Sequence, residues 1–198
     1  MIYARLWFSG VRLYLVNGMV VKSWPAVSGK PKLPSPNNLS FSYSQQAQSS
    51  KDSGPIPAGE YAIRIGDIRV YQHTMKTIAG AALFAVTEFK TDILARMDAA
   101  WGKTGGASGR IIPILNPKGG TEYAGGRNNC WIHGSDAPGS IGCIDLTDNM
   151  DAFLTELLDL KIEPARMIGF VVRYGVTPEG EKETREVDLR GRDISRVA

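Results

Sequence analysis

Residues that bind metals or form disulfides are scarce in this chain. Among 198 residues there are two cysteines, Cys130 and Cys143, and two histidines, His73 and His133. A closed structural zinc site typically takes four such ligands. The zinc-like spacing Cys130-x-x-His133 is therefore a weak indication, and we expect neither a metal nor another cofactor. Two cysteines are also too few for a disulfide scaffold, and pairing them would block a nucleophile.

Long apolar runs are missing as well. No stretch of about 18 apolar residues is present that would span a membrane, so we expect no membrane span. The opening residues, M-I-Y-A-R-L-W-F-S-G-V-R, lack a basic start and interrupt their apolar run with Arg5 and Arg12, unlike a secretory signal peptide. We therefore expect a protein that is made in the cytoplasm without a signal peptide.

An excess of positive or negative charge is also lacking, since 22% of the residues are charged but the net charge is only +3. A mildly basic surface suits an anionic cell wall or a nucleic acid equally. However, no cluster of Lys and Arg interleaved with aromatics occurs, which argues against nucleic-acid binding. The apolar content of 43% is ordinary for a globular protein, and the length is sufficient for one domain with a proper core.

The apolar pattern predicts a β-rich α+β domain over residues 1–176. Asn17-Gly18 is a strong turn signal and predicts a hairpin over 11–27. Apolar residues that alternate or run together predict further strands at 61–65, 67–90, 111–115 and 167–174.

Two helices are predicted within this domain. Thr91 is expected to cap a short helix over 91–101, which forms an insertion. Thr147 or Asp148 is expected to cap a second helix with one apolar face. Its apolar residues follow helical spacing: Met150, Phe153, Leu154, Leu157 and Leu158.

Two stretches are strongly polar. Residues 34–53 are too long for an ordinary connection, and they predict either a lid, a substrate-facing loop, or a loop under which Phe41 and Tyr43 pack. Residues 177–198 are dominated by charge and predict a C-terminal tail, in which Val187 and Leu189 allow an edge strand.

Both cysteines and one histidine fall in one segment, C-W-I-H-G-S-D-A-P-G-S-I-G-C-I-D-L at 130–146. It predicts a strand, a loop of small residues, and a second strand or helix start, with the loop bringing His133 over Cys143. A cysteine nucleophile acts as a thiolate, which a neighbouring imidazole generates. Gly142 lets a substrate approach closely, and the amides of Gly142 and Cys143 form a candidate oxyanion hole. Taken alone, such a pair is also typical of a buried thiol and a core imidazole.

The segment resembles the active-site motif of L,D-transpeptidases, cysteine enzymes that cross-link or trim peptidoglycan stems. Their pattern is His-Gly, a spacer, then Ser-His-Gly-Cys and an apolar residue. Here it is His133-Gly134 and then S-I-G-C-I at 140–144. Ile141 stands where most members have a second histidine, and Asp145 where many have Arg or Asn. Ser-x-Gly-Cys after a short spacer is similar to the L,D-transpeptidase effectors of type VI secretion. The opening hairpin and G-P-I-P-A-G-E-Y at 54–61 also resemble this family.

The resemblance implies a chemistry for each residue of the motif. His133 takes the proton of Cys143, and the thiolate attacks the amide carbonyl after the third stem residue. Water then gives L,D-carboxypeptidase activity, a free D-amino acid gives exchange, and a second stem gives cross-linking. Ser135 or a backbone carbonyl orients His133 as the third member of a triad.

Further residues are assigned to the loop and to substrate binding. Gly134 and Ser140 are expected to shape the loop together with Gly142. Tyr61 and Arg127 are candidate substrate-binding residues, the latter through a substrate carboxylate, although a solvated surface charge is the commoner state of such an arginine.

The resemblance also implies partners and a place of action. The partners would be peptidoglycan stem peptides, a secretion-system carrier and a periplasmic immunity protein, and the protein would act as an antibacterial effector in the periplasm of a target cell. Two alternatives stay open: a cell-wall-binding module without catalysis, and an unrelated Cys/His peptidase or amidase. Many papain-like hydrolases have Cys before His along the chain, whereas His133 precedes Cys143 here.

Overall fold

The structure, a computed structural model, describes residues 4–32, 40–51, 53–78, 81–89, 110–123, 126–135, 138–140 and 142–183, with the backbone alone for 69–78 and 81–89. This part of the chain is α+β and strand-rich, as predicted, with two sheets and few helices. In chain order its elements are β1 (Ala4–Phe8), β2 (Arg12–Asn17), β3 (Val20–Pro25), β4 (Val27–Ser28), α1 (Gln45–Gln48), β5 (Gly59–Arg64), β6 (Arg69–Ile78), β7 (Ala81–Phe89), β8 (Arg110–Pro113), β9 (Trp131–His133), β10 (Ile144–Asp145), α2 (Met150–Asp159) and β11 (Met167–Val172).

The first sheet has the strand order β3-β2-β1-β11-β5. The predicted hairpin is confirmed, because β2 and β3 pair antiparallel from Arg12 opposite Pro25 to Asn17 opposite Val20. Gly18 has φ +60°, the left-handed conformation that a two-residue hairpin turn requires. β11 lies parallel to β1 and antiparallel to β5, so the first and last of these strands are neighbours in the middle of the sheet.

The second sheet has the order β4-β10-β9-β8-β6-β7. The strand signals at 67–90 and 111–115 are confirmed by the hairpin β6–β7 and by β8. β10 lies between β4, to which it is antiparallel, and β9, to which it is parallel. The loop of the Cys/His motif therefore starts and ends on two adjacent strands.

One apolar core is shared by the two sheets and α2. It includes Leu6 and Phe170 of the first sheet, Ile132 and Ile144 of the second, and Phe153 of α2. The two isoleucines pair across β9 and β10 and are fully buried. Because side chains alternate along a strand, the residues beside them in sequence point to the other face of the sheet.

The predicted helix after Cys143 is confirmed, but its predicted cap is wrong. α2 buries Met150, Phe153, Leu154 and Leu157, and it starts at Met150 without a side-chain hydrogen bond at its N-cap. A 3-10 turn over Thr147–Asn149 precedes it. Thr147 has φ +48°, which differs from the extended backbone conformation of a capping residue.

The polar stretch before β5 packs against the rest of the protein through the aromatic side chain of Tyr43. The ring of Tyr43 stacks on that of Tyr174 with centroids 4.5 Å apart, and it meets Phe8 edge-on. Ser44 caps the short helix α1 by accepting a hydrogen bond from the amide of Ala47. The predicted packing under this loop is thereby confirmed for Tyr43.

Two sequence predictions lie outside the described residues: the helix at 91–101, and the edge strand around Val187 and Leu189. Near the start of the predicted tail, Lys182 forms an isolated antiparallel bridge with Val176. In the described ranges, no helix has the length and apolar character needed to cross a membrane.

Candidate active site

The parallel pair β9–β10 brings the two ends of the motif together. Asp145 pairs with His133, and Ile144 pairs with Ile132. Since both isoleucines face the core, His133 and Asp145 share the opposite face of the sheet. At the start of β10, the amide of Trp131 donates a hydrogen bond to Sγ of Cys143 over 3.4 Å. Cys143 thus directly precedes the strand that pairs with the strand of His133. The predicted placement of His133 over Cys143 stays a prediction.

The thiol of Cys143 is free and partly exposed. Burial raises its pKa to about 12, and the neighbouring Cys130 and Asp145 act in the same direction. The amide of Trp131 and the guanidinium of Arg127 oppose this rise. At neutral pH the thiol is therefore protonated, and it becomes a nucleophile only if a base removes the proton as it attacks.

His133 is positioned by the carbonyl of the next residue. Its Nδ1 lies 3.0 Å from the carbonyl oxygen of Gly134. The tautomer with hydrogen on Nδ1 donates this bond and leaves Nε2 as the proton acceptor. Of the two orienting groups predicted from the sequence, a backbone carbonyl therefore lies at Nδ1, while Ser135 donates its hydroxyl hydrogen to Asp145.

Asp145 is the residue that sequence reasoning missed. Its side chain is fully buried, and its Oδ1 lies 4.0 Å from Nδ1 of His133. Oδ2 accepts hydrogen bonds from Ser135 Oγ and from the amide of Gly139, and Oδ1 accepts one from the amide of Thr147. The sequence contained one signal for this residue, its departure from the Arg or Asn that is usual two positions after the cysteine.

Ser140 ties the loop to the strand that follows it and to the N-terminal part of the chain. Its hydroxyl donates to the carbonyl of Cys143 over 2.6 Å, and its amide donates to the carbonyl of Gly29 over 3.0 Å. These bonds fix the approach of the loop to Cys143. The role of the Gly142 and Cys143 amides as an oxyanion hole stays a prediction.

Arg127 is buried beneath the loop, so its interpretation as a solvated surface charge is wrong. Only 5% of the residue is exposed, and its guanidinium donates to the carbonyls of Gln48, Ser50 and Gly54. It also hydrogen-bonds the thiol of Cys130. Binding a substrate carboxylate would require Arg127 to leave these partners, so the structure gives it the position of an internal tie.

Tyr61 also lies in the interior. It is 7% exposed, its hydroxyl donates to the carbonyl of Pro57 over 2.8 Å, and its ring meets that of Tyr123 edge-on. These contacts give Tyr61 a packing role next to the site. Its contact with a substrate stays a prediction.

The Cys130-x-x-His133 spacing is not accompanied by further ligands. Cys130 is buried, and its thiol is hydrogen-bonded to Arg127. Within the ranges that the structure describes, no three His, Cys, Asp or Glu side chains are grouped so that they could hold a metal ion.

Comparison with known proteins adds no relative to this picture. No protein-family model matches the chain, and no curated protein is significantly similar to it in sequence.

Proposed function

We propose that this protein is a cysteine acyl-transfer enzyme that acts on peptidoglycan stem peptides, as an L,D-carboxypeptidase, an L,D-transpeptidase that exchanges D-amino acids, or both. One observation carries the proposal. The parallel pairing of β9 with β10 places Asp145 beside His133 and the amide of Trp131 at Sγ of Cys143. The substrate class comes from the resemblance of the His133-Gly134 and S-I-G-C segments to the L,D-transpeptidase motif.

The first half of the reaction follows from the protonation states at the site. Nε2 of His133 takes the proton from the Cys143 thiol while Sγ attacks the amide carbonyl after the third stem residue. A C–S bond forms, and the negative charge passes to the carbonyl oxygen at the amides of Gly142 and Cys143. The C–N bond then breaks, and the imidazolium returns its proton to the leaving amine, which leaves a thioester on Cys143.

The second half of the reaction decides the product. His133 takes a proton from the acceptor, which attacks the thioester and releases the protonated thiol. Water yields a shortened stem, a free D-amino acid yields an exchanged stem, and the amine of a second stem yields a cross-link. Acceptor choice depends on the groups around the cleft.

We place the action of this enzyme in the periplasm of a target cell. This part rests on the similarity of the short-spaced Ser-x-Gly-Cys segment to type VI secretion effectors. It entails a secretion-system carrier and a periplasmic immunity protein that covers the site in kin cells. A net charge of +3 suits an anionic wall.

The test is mass spectrometry of purified muropeptides after incubation with the protein, with and without a free D-amino acid. Wild type should shorten or exchange tetrapeptide stems. Cys143→Ala should yield no product, whereas Cys130→Ala, which removes the other thiol, should keep most activity. His133→Ala should lower the rate by about 10²–10⁴-fold, and His73→Ala should not. A dead Cys130→Ala enzyme beside an active Cys143→Ala enzyme would reverse the site assignment.

One observation favours a second candidate, a wall-binding module without catalysis. The raised pKa of the Cys143 thiol is what a buried, unreactive cysteine shows. In that case wild type and Cys143→Ala would bind purified sacculi equally, and neither would release a product.

A further inference from the structure

We propose that Asp145 is a positioning residue of this site, whose carboxylate acts through His133 by compensating the charge of the imidazolium that forms when Cys143 gives up its proton. The inference deepens the proposed function and rests on it. It does not follow from the resemblance, because Asp145 is a departure from the family's usual residue at this position.

The first support is the placement of the carboxylate. Asp145 is opposite His133 in the ladder between β10 and β9, and their Oδ1 and Nδ1 atoms are 4.0 Å apart. The exposed fraction of Asp145 is 0%. An isolated carboxylate in such a place is strongly unfavourable, so its presence requires hydrogen bonds or a nearby cation.

The hydrogen bonds come from both ends of the motif loop and from the turn after β10. Oδ2 is engaged by Ser135 Oγ and the Gly139 amide, and Oδ1 by the Thr147 amide at 2.8 Å. Three donors favour the ionised form. They hold the carboxylate in one orientation, with Oδ1 directed between Thr147 and the imidazole.

The backbone of Thr147 is a second and independent indication that the position of the Asp145 carboxylate is important. Its φ is +48°, a left-handed conformation that a β-branched residue rarely adopts. Strained residues of this kind persist where their geometry serves a contact. Here the turn directs the Thr147 amide at Oδ1 of Asp145, and so fixes the oxygen that is nearest to His133.

The charge of Asp145 acts on the two partners of the proton transfer in opposite ways. It raises the pKa of the Cys143 thiol, so it disfavours a thiolate at rest. Burial raises the pKa of Asp145 itself, and His133 is the strongest of the influences that lower it. Once the proton has moved, the sulfur's negative charge passes to the substrate while the imidazolium stays beside Asp145. The carboxylate therefore stabilises the state after transfer more than the state before it.

A purely structural role would need the shape of Asp145 but not its charge, and this difference defines the experiment. Asp145→Asn keeps the shape and removes the charge. Ser135→Ala removes one donor and keeps the charge, so it is the matched control. The other charged or titratable groups in this cluster, within the described residues, are Cys143, Cys130, Arg127 and Tyr123, and all four stay in both variants.

The first measurement needs no substrate. His73→Gln leaves His133 as the single histidine, so one imidazole contributes to the NMR spectrum. In this background Asp145→Asn should change the chemical shifts of the imidazole nitrogens, because the carboxylate 4.0 Å from Nδ1 loses its charge. Ser135→Ala, which keeps that charge, should change these shifts less. Unchanged imidazole shifts in folded Asp145→Asn protein would overturn the proposal.

A wild-type measurement covers the case in which Asp145→Asn does not fold. In wild type the chemical shift of the Asp145 carboxyl carbon follows the titration of that carboxyl group. His133→Gln should move this titration to higher pH, because His133 lowers the pKa of Asp145. A carboxyl titration that does not respond to His133→Gln would count against the pairing.

The kinetic measurement ties the pairing to the reaction. Asp145→Asn should lower kcat on muropeptides by about tenfold or more and leave KM near that of wild type, whereas Ser135→Ala should lower kcat by less. A kcat like that of wild type in Asp145→Asn would overturn the proposal. If wild type makes no product while the NMR coupling is present, the proposed substrate is wrong and the pairing of Asp145 with His133 still holds.

Discussion

Gly142 and Arg127 meet so closely that a β-carbon on residue 142 would lie 2.0 Å from Nη2 of the buried guanidinium. Gly142 also has φ +83°, which only glycine adopts without strain. The residue before the candidate nucleophile is therefore glycine for two separate reasons. The contact further shows that the tie made by Arg127 reaches the backbone of the loop between β9 and β10.

Gly142→Ala should consequently destabilise the protein and abolish activity on muropeptides. Gly175→Ala is the control, because Gly175 has φ +74° but a β-carbon there would meet nothing within 4 Å. The control carries the conformational strain of about 1–2 kcal/mol, while Gly142→Ala adds the clash with Arg127. Urea denaturation of both variants measures the difference, and equal losses of stability would show that the clash has no effect.

Replacing Arg127 should lower the free energy of unfolding. Arg127→Met removes the donors to the carbonyls of Gln48, Ser50 and Gly54, and a buried acceptor left unpaired costs about 1–3 kcal/mol. Arg166→Met, at an exposed position, should change the free energy of unfolding by about 0.5 kcal/mol or less. If the two variants unfold at the same urea concentration, Arg127 is not the internal tie described above.

Because of the Cys143 thiol, both the alkylation rate of this thiol and the stability of the protein should change with pH in the alkaline range. Its pKa is about 12 in the folded protein against an ordinary 9.0, so between these values the unfolded chain releases a proton that the folded protein keeps. The free energy of unfolding should therefore fall as pH rises from 9 towards 12. Cys143→Ala should remove part of that fall.

Alkylation of native Cys130→Ala protein by iodoacetamide gives the kinetic counterpart. The rate should be slower than that of a free thiol at pH 8 and should keep rising with pH, because the thiolate is the reacting species. A plateau near neutral pH would mean a resting thiolate–imidazolium pair, contrary to a protonated thiol.

The place of action can be tested by directing the protein to two compartments of a Gram-negative host. Cytoplasmic expression should be tolerated, and fusion to a periplasmic signal peptide should slow growth or lyse cells, because the proposed substrate lies outside the cytoplasmic membrane. The effect should vanish in Cys143→Ala and His133→Ala. Equal growth in both compartments, with export of folded protein verified, would contradict the cell-wall role.

Local signals in the sequence predict much of the fold. Asn17-Gly18 specifies its hairpin because few residues other than glycine adopt the left-handed conformation that the turn requires at position 18. The apolar spacing from Met150 to Leu157 specifies α2. The pairing of β1 with β11 has no such signal, since it joins segments at opposite ends of the described chain. Pairings of this kind follow from how the elements fill one core.

The candidate site was predictable in its centre and not in its surroundings. His133, Gly142 and Cys143 form a motif whose spacing indicates a cysteine nucleophile with an imidazole base. Arg127 was not predictable as a buried residue, because an arginine in a Gly-rich loop is ordinarily solvated and its three carbonyl partners are non-local. Asp145 was hidden for a similar reason, since the donors that make its burial tolerable come together only when the loop has folded.

The short strand β10 has a consequence for when the candidate site forms during folding. Ile144 pairs on one side with Ser28 of β4 and on the other with Ile132 of β9, so one of its partners lies more than a hundred residues earlier in the chain. Closing so long a loop is entropically unfavourable until the contact forms, and such topologies fold slowly. We therefore expect the arrangement of Cys143 and His133 to form late in folding, when the N-terminal segment pairs with β10.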